Sequence, residues 1–282
     1  VAERQGPKVY SIAAHRGFAD ALVAGLVPRY ANDEFGLARL TLLVPSSRAR
    51  RTISEAFIRH AGEQGTPGLL MPRMAVVGDL DLDETLGPLL DPLGAADIPR
   101  AIEPQRRLFA LARLIADTMG DETPGGATLL RLARETGATM DRLLVEGVGP
   151  EELVGESVLD LFGSLSDHWQ RSLHLFATVQ AKWLEQLQQW DALDAAARRN
   201  RLFDWAAARW RAAPPETPIV AAGVTSAAPS LARLLRVVAD CDQGAVILPD
   251  FDLTMPQAVW DELGRAGATP EPGATPFARE DA

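Results

Sequence analysis

Two arginine-rich stretches carry most of the chemical potential of this sequence. Ser46-Ser47-Arg48-Ala49-Arg50-Arg51 follows an apolar run closed by Pro45, and Arg198, Arg199, Arg201, Arg209 and Arg211 surround Trp205 and Trp210. Hydroxyls, guanidinium forks and the free amides of a helix start all bind phosphate oxygens, while tryptophan offers a base a stacking surface. The first stretch is expected to touch the phosphates of single-stranded DNA, weakly and without sequence preference. Arg198, Arg201 and Arg209 are secondary candidates for anion or DNA contact. Gly223, Thr225 and Ser226 join them, because Gly223-Val224-Thr225-Ser226 lies between a strand signal and a helix signal. The bland alternative is a solvated helix face for each arginine cluster and an ordinary capped loop for residues 223–226.

Other chemistries fail for want of parts. A phosphate loop needs several glycines and a lysine after the first strand. Ala13-Ala14-His15-Arg16-Gly17-Phe18-Ala19-Asp20 offers one glycine and no lysine, so ATP binding and hydrolysis are not expected. Asp79, Asp81, Asp83 and Glu84 resemble a cation loop, but Glu84 and Leu90 stand where a calcium loop needs glycine and a bidentate glutamate. They read as a solvated acidic loop. His15, His60, His168 and His174 show no metal-ligand spacing, and no G-x-S-x-G elbow is present. Cys241 sits between Asp240 and Asp242, a setting that raises a thiol pKa. No metal and no catalytic residue is expected.

The elements that must position these groups separate into three regions. Residues 8–100 alternate strand and helix signals. Residues 9–14 and 39–44 are short apolar runs, and Phe18–Tyr30 carries Phe18, Leu22, Val23, Leu26 and Val27 at helical spacing. Ser46 or Ser47 caps a further helix with Ile53, Ala56, Phe57 and His60 on its inner face. Residues 74–77 supply a third short apolar piece. Residues 103–212 read almost wholly as helix, the longest element spanning residues 166–194. There Trp169, Leu173, Phe176, Gln180, Trp183, Leu187 and Trp190 keep a 4-3 spacing that marks a core stripe. Residues 213–263 return to strand (Ile219–Ala222), helix (residues 229–239) and strand (residues 245–248). The fold class is therefore α/β, a mainly parallel sheet interrupted by an all-helical subdomain. The expected domains are 1–100 plus 213–263, 101–212, and a Pro/Gly-rich linker over 264–282 leading to C-terminal parts that this chain lacks.

Composition bounds the function classes. The 282 residues are 47% apolar, enough for a sizeable core and incompatible with overall disorder. One cysteine forbids an internal disulfide and fits a reducing compartment. No apolar run approaches 18 residues and no signal peptide precedes Val9, so the chain reads as soluble and cytoplasmic, without a membrane partner. The net charge of −10 argues against a duplex-coating protein, but it is uneven. Residues 1–66 hold nine basic and six acidic side chains, residues 67–160 eight and seventeen, and residues 161–282 eleven and fifteen. The first segment is basic inside an acidic protein.

One ordered set of segments resembles a known family. It comprises Leu42-Leu43-Val44-Pro45-Ser46-Ser47-Arg48-Ala49-Arg50-Arg51, then Gly68-Leu69-Leu70-Met71-Pro72-Arg73 with Gly78-Asp79 after it, Ile219-Val220-Ala221-Ala222-Gly223, and Gly244-Ala245-Val246-Ile247-Leu248-Pro249-Asp250. The set is similar to the N-terminal part of AddB, the second subunit of AddAB-type helicase–nucleases, whose helicase-like half has lost its ATP site. The resemblance implies a RecA-like domain (P-loop NTPase-like, helicase 1A) interrupted by a helical 1B-like subdomain. It implies a role in double-strand break repair by homologous recombination beside an AddA-type helicase–nuclease subunit. It also places Ser46 to Arg51 where such helicases touch single-stranded DNA. The family's iron–sulfur cluster and Mg belong to a C-terminal nuclease that this chain does not contain, so no cofactor is expected here. Two other readings stay open: an NTPase with an atypical phosphate loop at residues 223–226, and a protein–protein scaffold without DNA binding.

Overall fold

The computed structural model describes residues 6–31, 35–65, 69–78, 86–92, 94, 96–149, 167–226, 228–250, 252 and 254–266, without the side chains of 167–170 and 263–266. Gly68, the acidic run Asp79, Asp81, Asp83 and Glu84, residues 267–282, and the side chains of His168 and Trp169 lie outside this set.

The chain is α/β. Its main sheet holds β1 (Val9–Ile12), β2 (Thr41–Val44), β3 (Arg73–Val76), β6 (Ile219–Ala222) and β7 (Gly244–Pro249), in the spatial order β1-β7-β6-β2-β3. Every pairing is parallel: Leu43 lies beside Ala221, Ala221 beside Val246, and Val9 also beside Val246. A parallel sheet must be covered on both faces, so its central strands read as unbroken apolar runs. TLLV and IVAA are buried at all four positions. On one face Leu42, Val44, Met74, Val76, Val220, Ala222 and Ala245 pack with two helices, α1 (Phe18–Tyr30) and α2 (Ser47–Glu63). Those helices contribute Leu22, Val23, Leu26, Ile53, Ala56 and Phe57, the faces that the helical spacing predicts.

Two compact units divide the chain. The first is Val1–Leu89, Ala206–Ala227 and Leu231–Ala282, and the second is Leu90–Trp205 with Ala228–Ser230. The first holds the five-stranded sheet, α3 (Leu86–Leu90) up to Leu89, α8 (Pro229–Asp240) from Leu231 onward and α9 (Gln257–Ala266). Within it, the Lys8 ammonium binds the carbonyls of Cys241 and Asp242, a cation at the carboxyl end of α8. The second unit holds α4 (Pro104–Met119), α5 (Gly126–Glu146), α6 (Asp167–Gln189) and a two-stranded parallel ladder of β4 (Arg100–Ala101) and β5 (Ala192–Leu193). The division falls inside α7 (Ala195–Ala212).

The tryptophan stripe is core, as its spacing predicts: Trp183 and Leu187 are buried with Leu111, Ile115, Ala133 and Met140. The helix carrying it is shorter than residues 166–194. It stops at Gln189, Asp191 turns left-handed (φ 46), and Ala192–Leu193 pairs with Arg100–Ala101. Aspartate tolerates that conformation better than most residues. The turn also aims the next carboxylate inward. Asp194 is 2% exposed, accepts the Trp183 indole N–H at 3.0 Å and lies 2.7 Å from Arg107 Nε. Arg107 also donates to Asp141 at 2.8 Å and to the Gly137 carbonyl at 3.2 Å. One guanidinium thus ties α4 and α5 to the residue preceding α7. Two further differences are local. Gly36–Arg39 forms a 3-10 turn, so the second strand begins at Thr41, and Gly264 lies within α9 rather than in a linker.

Burial holds the Asp194 carboxyl above the ordinary carboxylate range, against the opposing pull of Arg107 and Trp183. A raised acid pKa means the folded state holds its proton more tightly than the unfolded chain. The contribution is fully present below about pH 4, the ordinary Asp value, and is lost as pH rises through the raised one. Thermal melts from pH 4 to 7 should therefore show Asp194→Asn gaining on the parent as pH rises. A parent that gains on the variant over this window would mean that the Arg107 pair outweighs burial.

Candidate functional site

The carboxyl ends of parallel strands are where this sheet can present polar groups. Strand order there has a reversal: from β2 the chain moves outward to β3, whereas from β6 it moves the opposite way to β7. The crevice beyond β2 and β6 is therefore the topological switch point, the usual ligand position in open α/β sheets. The loop after β2 is Pro45-Ser46 and the loop after β6 begins at Gly223. Because Leu43 pairs with Ala221, the start of α2 and residues 223–226 leave the same edge of neighbouring strands. Sequence reasoning named both segments separately; the pairing brings them together.

The start of α2 is built by its cap. Ser46 is extended (φ −158, ψ 163) and its hydroxyl accepts the Ala49 N–H at 3.2 Å. Ser46 is thus the cap and Ser47 the first helical residue. No acidic residue occupies the first turn, so the turn itself brings no carboxylate to the positive helix end. Ser47 and Arg48 are exposed, Ser46 and Arg50 half-buried. Arg51 is largely exposed and pairs with Glu55 at 3.0 Å one turn on, a solvated contact of small energy. Among the described residues Arg48 has no ion-pair partner. Gly78 fixes the approach from β3, because a Cβ there would overlap the Pro45 carbonyl oxygen.

The 223–226 loop is more committed than its sequence suggests. Gly223 is left-handed (φ 69), its amide donates to the Ile247 carbonyl at 2.8 Å, and the Phe18 ring lies where a Cβ would come within 3.2 Å. That amide is spent on the sheet. Thr225 and Ser226 remain exposed.

The loop after β1, the position of a phosphate loop, carries carboxylates at both ends. Asp250, itself left-handed (φ 49), accepts the Ala14 N–H at 3.1 Å, while its own N–H donates to Ile12. Asp20 lies in the first turn of α1 and takes Arg59 at 2.6 Å. An amide and a helix end that would serve a nucleotide are already served by aspartates. Sequence reasoning registered the missing glycines and lysine. It missed Asp250, because nothing local links residues 14 and 250.

The remaining candidates scatter. Arg201 is exposed, Arg209 donates to the Leu89 carbonyl at 3.0 Å, and Trp210 is buried and offers no stacking face. Trp205 is 37% exposed. Arg198 lines a cavity of the helical unit. Burial, reinforced by Asp240 and Asp242, pushes the Cys241 thiol up, so it is not poised as a nucleophile. One buried cysteine cannot supply the thiolates of an iron–sulfur cluster, and among the described residues no group of three His, Cys, Asp or Glu could hold a metal. No helix among them is long and apolar enough to cross a membrane.

No known protein-family model matches the chain, and no curated protein matches it in sequence.

The Gly78–Pro45 approach generates a test of how the edge is held. Gly78→Ala should lower stability by roughly 1–3 kcal/mol, the cost of overpacking, because the obstacle is backbone and cannot rotate away. Urea unfolding checks it; an unchanged midpoint would show that the Pro45–Ser46 turn yields freely.

Proposed function

We propose that this chain is the non-catalytic, helicase-like N-terminal part of an AddB-type subunit. It acts as scaffold and single-stranded DNA guide in a helicase–exonuclease complex of double-strand break repair, beside an AddA-type helicase–nuclease partner. The observation that carries the reading is the convergence of the α2 start and the 223–226 loop at the switch point of an all-parallel sheet. A sheet whose third and fourth strands are separated by a helical unit is also what a RecA-like 1A domain with a 1B insertion requires.

In this reading the DNA backbone crosses the β2–β6 edge. Ser47, Thr225 and Ser226 present hydroxyls, Arg48, Arg50 and Arg51 present guanidinium groups, and the first turn of α2 adds a positive dipole end. In this reading these groups meet phosphates rather than base edges, so affinity is indifferent to sequence. The acidic remainder of the chain keeps it low. Asp20 and Asp250 disfavour a triphosphate after β1, so movement along DNA is the work of the partner's motor. They likewise argue against the NTPase alternative, as does the spent Gly223 amide.

Two measurements test it. Binding of an oligo(dT) strand should fall with salt, each phosphate contact contributing about −0.7 to the log–log slope. Replacing Arg48, Arg50 and Arg51 together by alanine should flatten that slope by roughly two units and leave the fold intact. A triple variant with the parental slope would reduce the cluster to a solvated face. Separately, millimolar ATP should leave the melting temperature unchanged. A saturable upward shift would restore the NTPase reading, since ligand at 100 times its dissociation constant stabilises by about 2.7 kcal/mol.

A further inference from the structure

The second face of the main sheet is covered unevenly. Side chains alternate along a strand, so Val9, Val246 and Leu248 point away from the face that α1 and α2 cover. They line a groove of ≈ 810 Å³ with Leu235 of α8, Met255 just before α9, and Trp260 within α9. Every described residue of this lining belongs to the sheet unit. Parallel sheets are buried on both faces, usually by helices. Here Val9 is 45% exposed, and Leu235, Leu248, Met255 and Trp260 are only half-buried. This stretch of sheet has room for one more covering helix.

The rim selects the kind of helix. Among the described lining residues the charged groups are Asp240, Asp250 and Asp252 against Arg236, all four exposed. Asp252 accepts the Thr254 N–H at 2.8 Å and its hydroxyl at 2.7 Å, which holds the carboxyl below its ordinary range and keeps it charged. An apolar floor with a negative rim complements a helix that is apolar on one face and basic along its flanks. Other occupants fit less well. Residues 267–282 of this chain hold three acidic residues, one arginine and a single large apolar residue, Phe277. A second copy brings its own net charge of −10, and a nucleic-acid strand would meet the three carboxylates.

We infer that the groove between α8 and α9 docks an amphipathic helix of a partner protein. Its apolar side chains meet Val9, Leu248 and Trp260, and its lysines or arginines meet Asp240, Asp250 and Asp252. Fluorescence anisotropy of a dye-labelled synthetic Leu/Lys helix, titrated with the full chain, tests this. Two companion peptides separate the contributions, one with glutamate for lysine and one with serine for leucine. The Leu/Lys helix should bind saturably, and each companion about tenfold more weakly or worse. Val9→Lys places a cation on the apolar floor and should weaken binding by about tenfold. Val259→Lys, exposed outside the groove, should leave it unchanged. Asp240→Asn with Asp252→Asn should weaken it by about fivefold, the scale of two exposed ion pairs, and carries the test should Val9→Lys fail to fold. Asp121→Asn with Glu122→Gln, exposed in the helical unit, should have no effect. Absence of saturable binding, equal binding of the glutamate companion, or equal loss in either control variant would overturn the assignment. So would self-association of the chain that Val9→Lys abolishes, which assigns the groove to a second copy, or oligo(dT) binding that Trp260→Ala abolishes, which assigns it to a strand.

Discussion

The DNA-guide reading depends on the parallel pairing of Thr41–Val44 with Ile219–Ala222. The two segments are far apart in the sequence, with the whole helical unit between them, and each is too short to be stable alone. Pairing closes the sheet and buries both strands on both faces. It also carries the proposed function, because it sets the Ser46 cap and the Gly223 turn on one edge. The loop-closure entropy of such a distant contact grows only slowly with length. A compact helical insertion is therefore compatible with a sheet whose strands flank it.

Much of the fold was legible in the sequence because the elements carry strong local signals. Phe18–Tyr30 and Ile219–Ala222 lie where apolar spacing puts them, and Ser46 caps where a serine before a helical pattern should. What stayed illegible was contact between distant residues. Asp250 beneath Ala14, Gly78 against Pro45, and Arg209 on the Leu89 carbonyl have no local signature. The end of α6 was misplaced for a related reason. The 4-3 spacing continues through Trp190, but the short ladder with Arg100–Ala101 and the inward Asp194 carboxylate override it. The candidate site was half legible: residue types announced phosphate affinity at two places, and only topology joined them.

The two units use charge in opposite ways. In the helical unit Arg107 pairs with buried Asp194 and half-buried Asp141. Removing one partner of such a buried cluster costs far more than the cluster contributes, since the charge left behind has no water. At the β2–β6 edge Arg48 and Arg51 are exposed and cost little to keep, while Arg50 is half-buried; in the proposed reading they serve a polyanion. After β1 and β7 the chain instead places carboxylates, Asp20 in the first turn of α1 and Asp250 at the Ala14 N–H.

The central claim is that one sheet edge, formed by the β2 and β6 ends, meets single-stranded DNA. Amide hydrogen exchange on the intact chain at low salt, with and without saturating oligo(dT), reads that edge directly. The account predicts slowed exchange at residues 47–51 and 224–226 together, with the sheet strands unaffected. Protection of neither segment, or of only one, would contradict a shared DNA-facing edge.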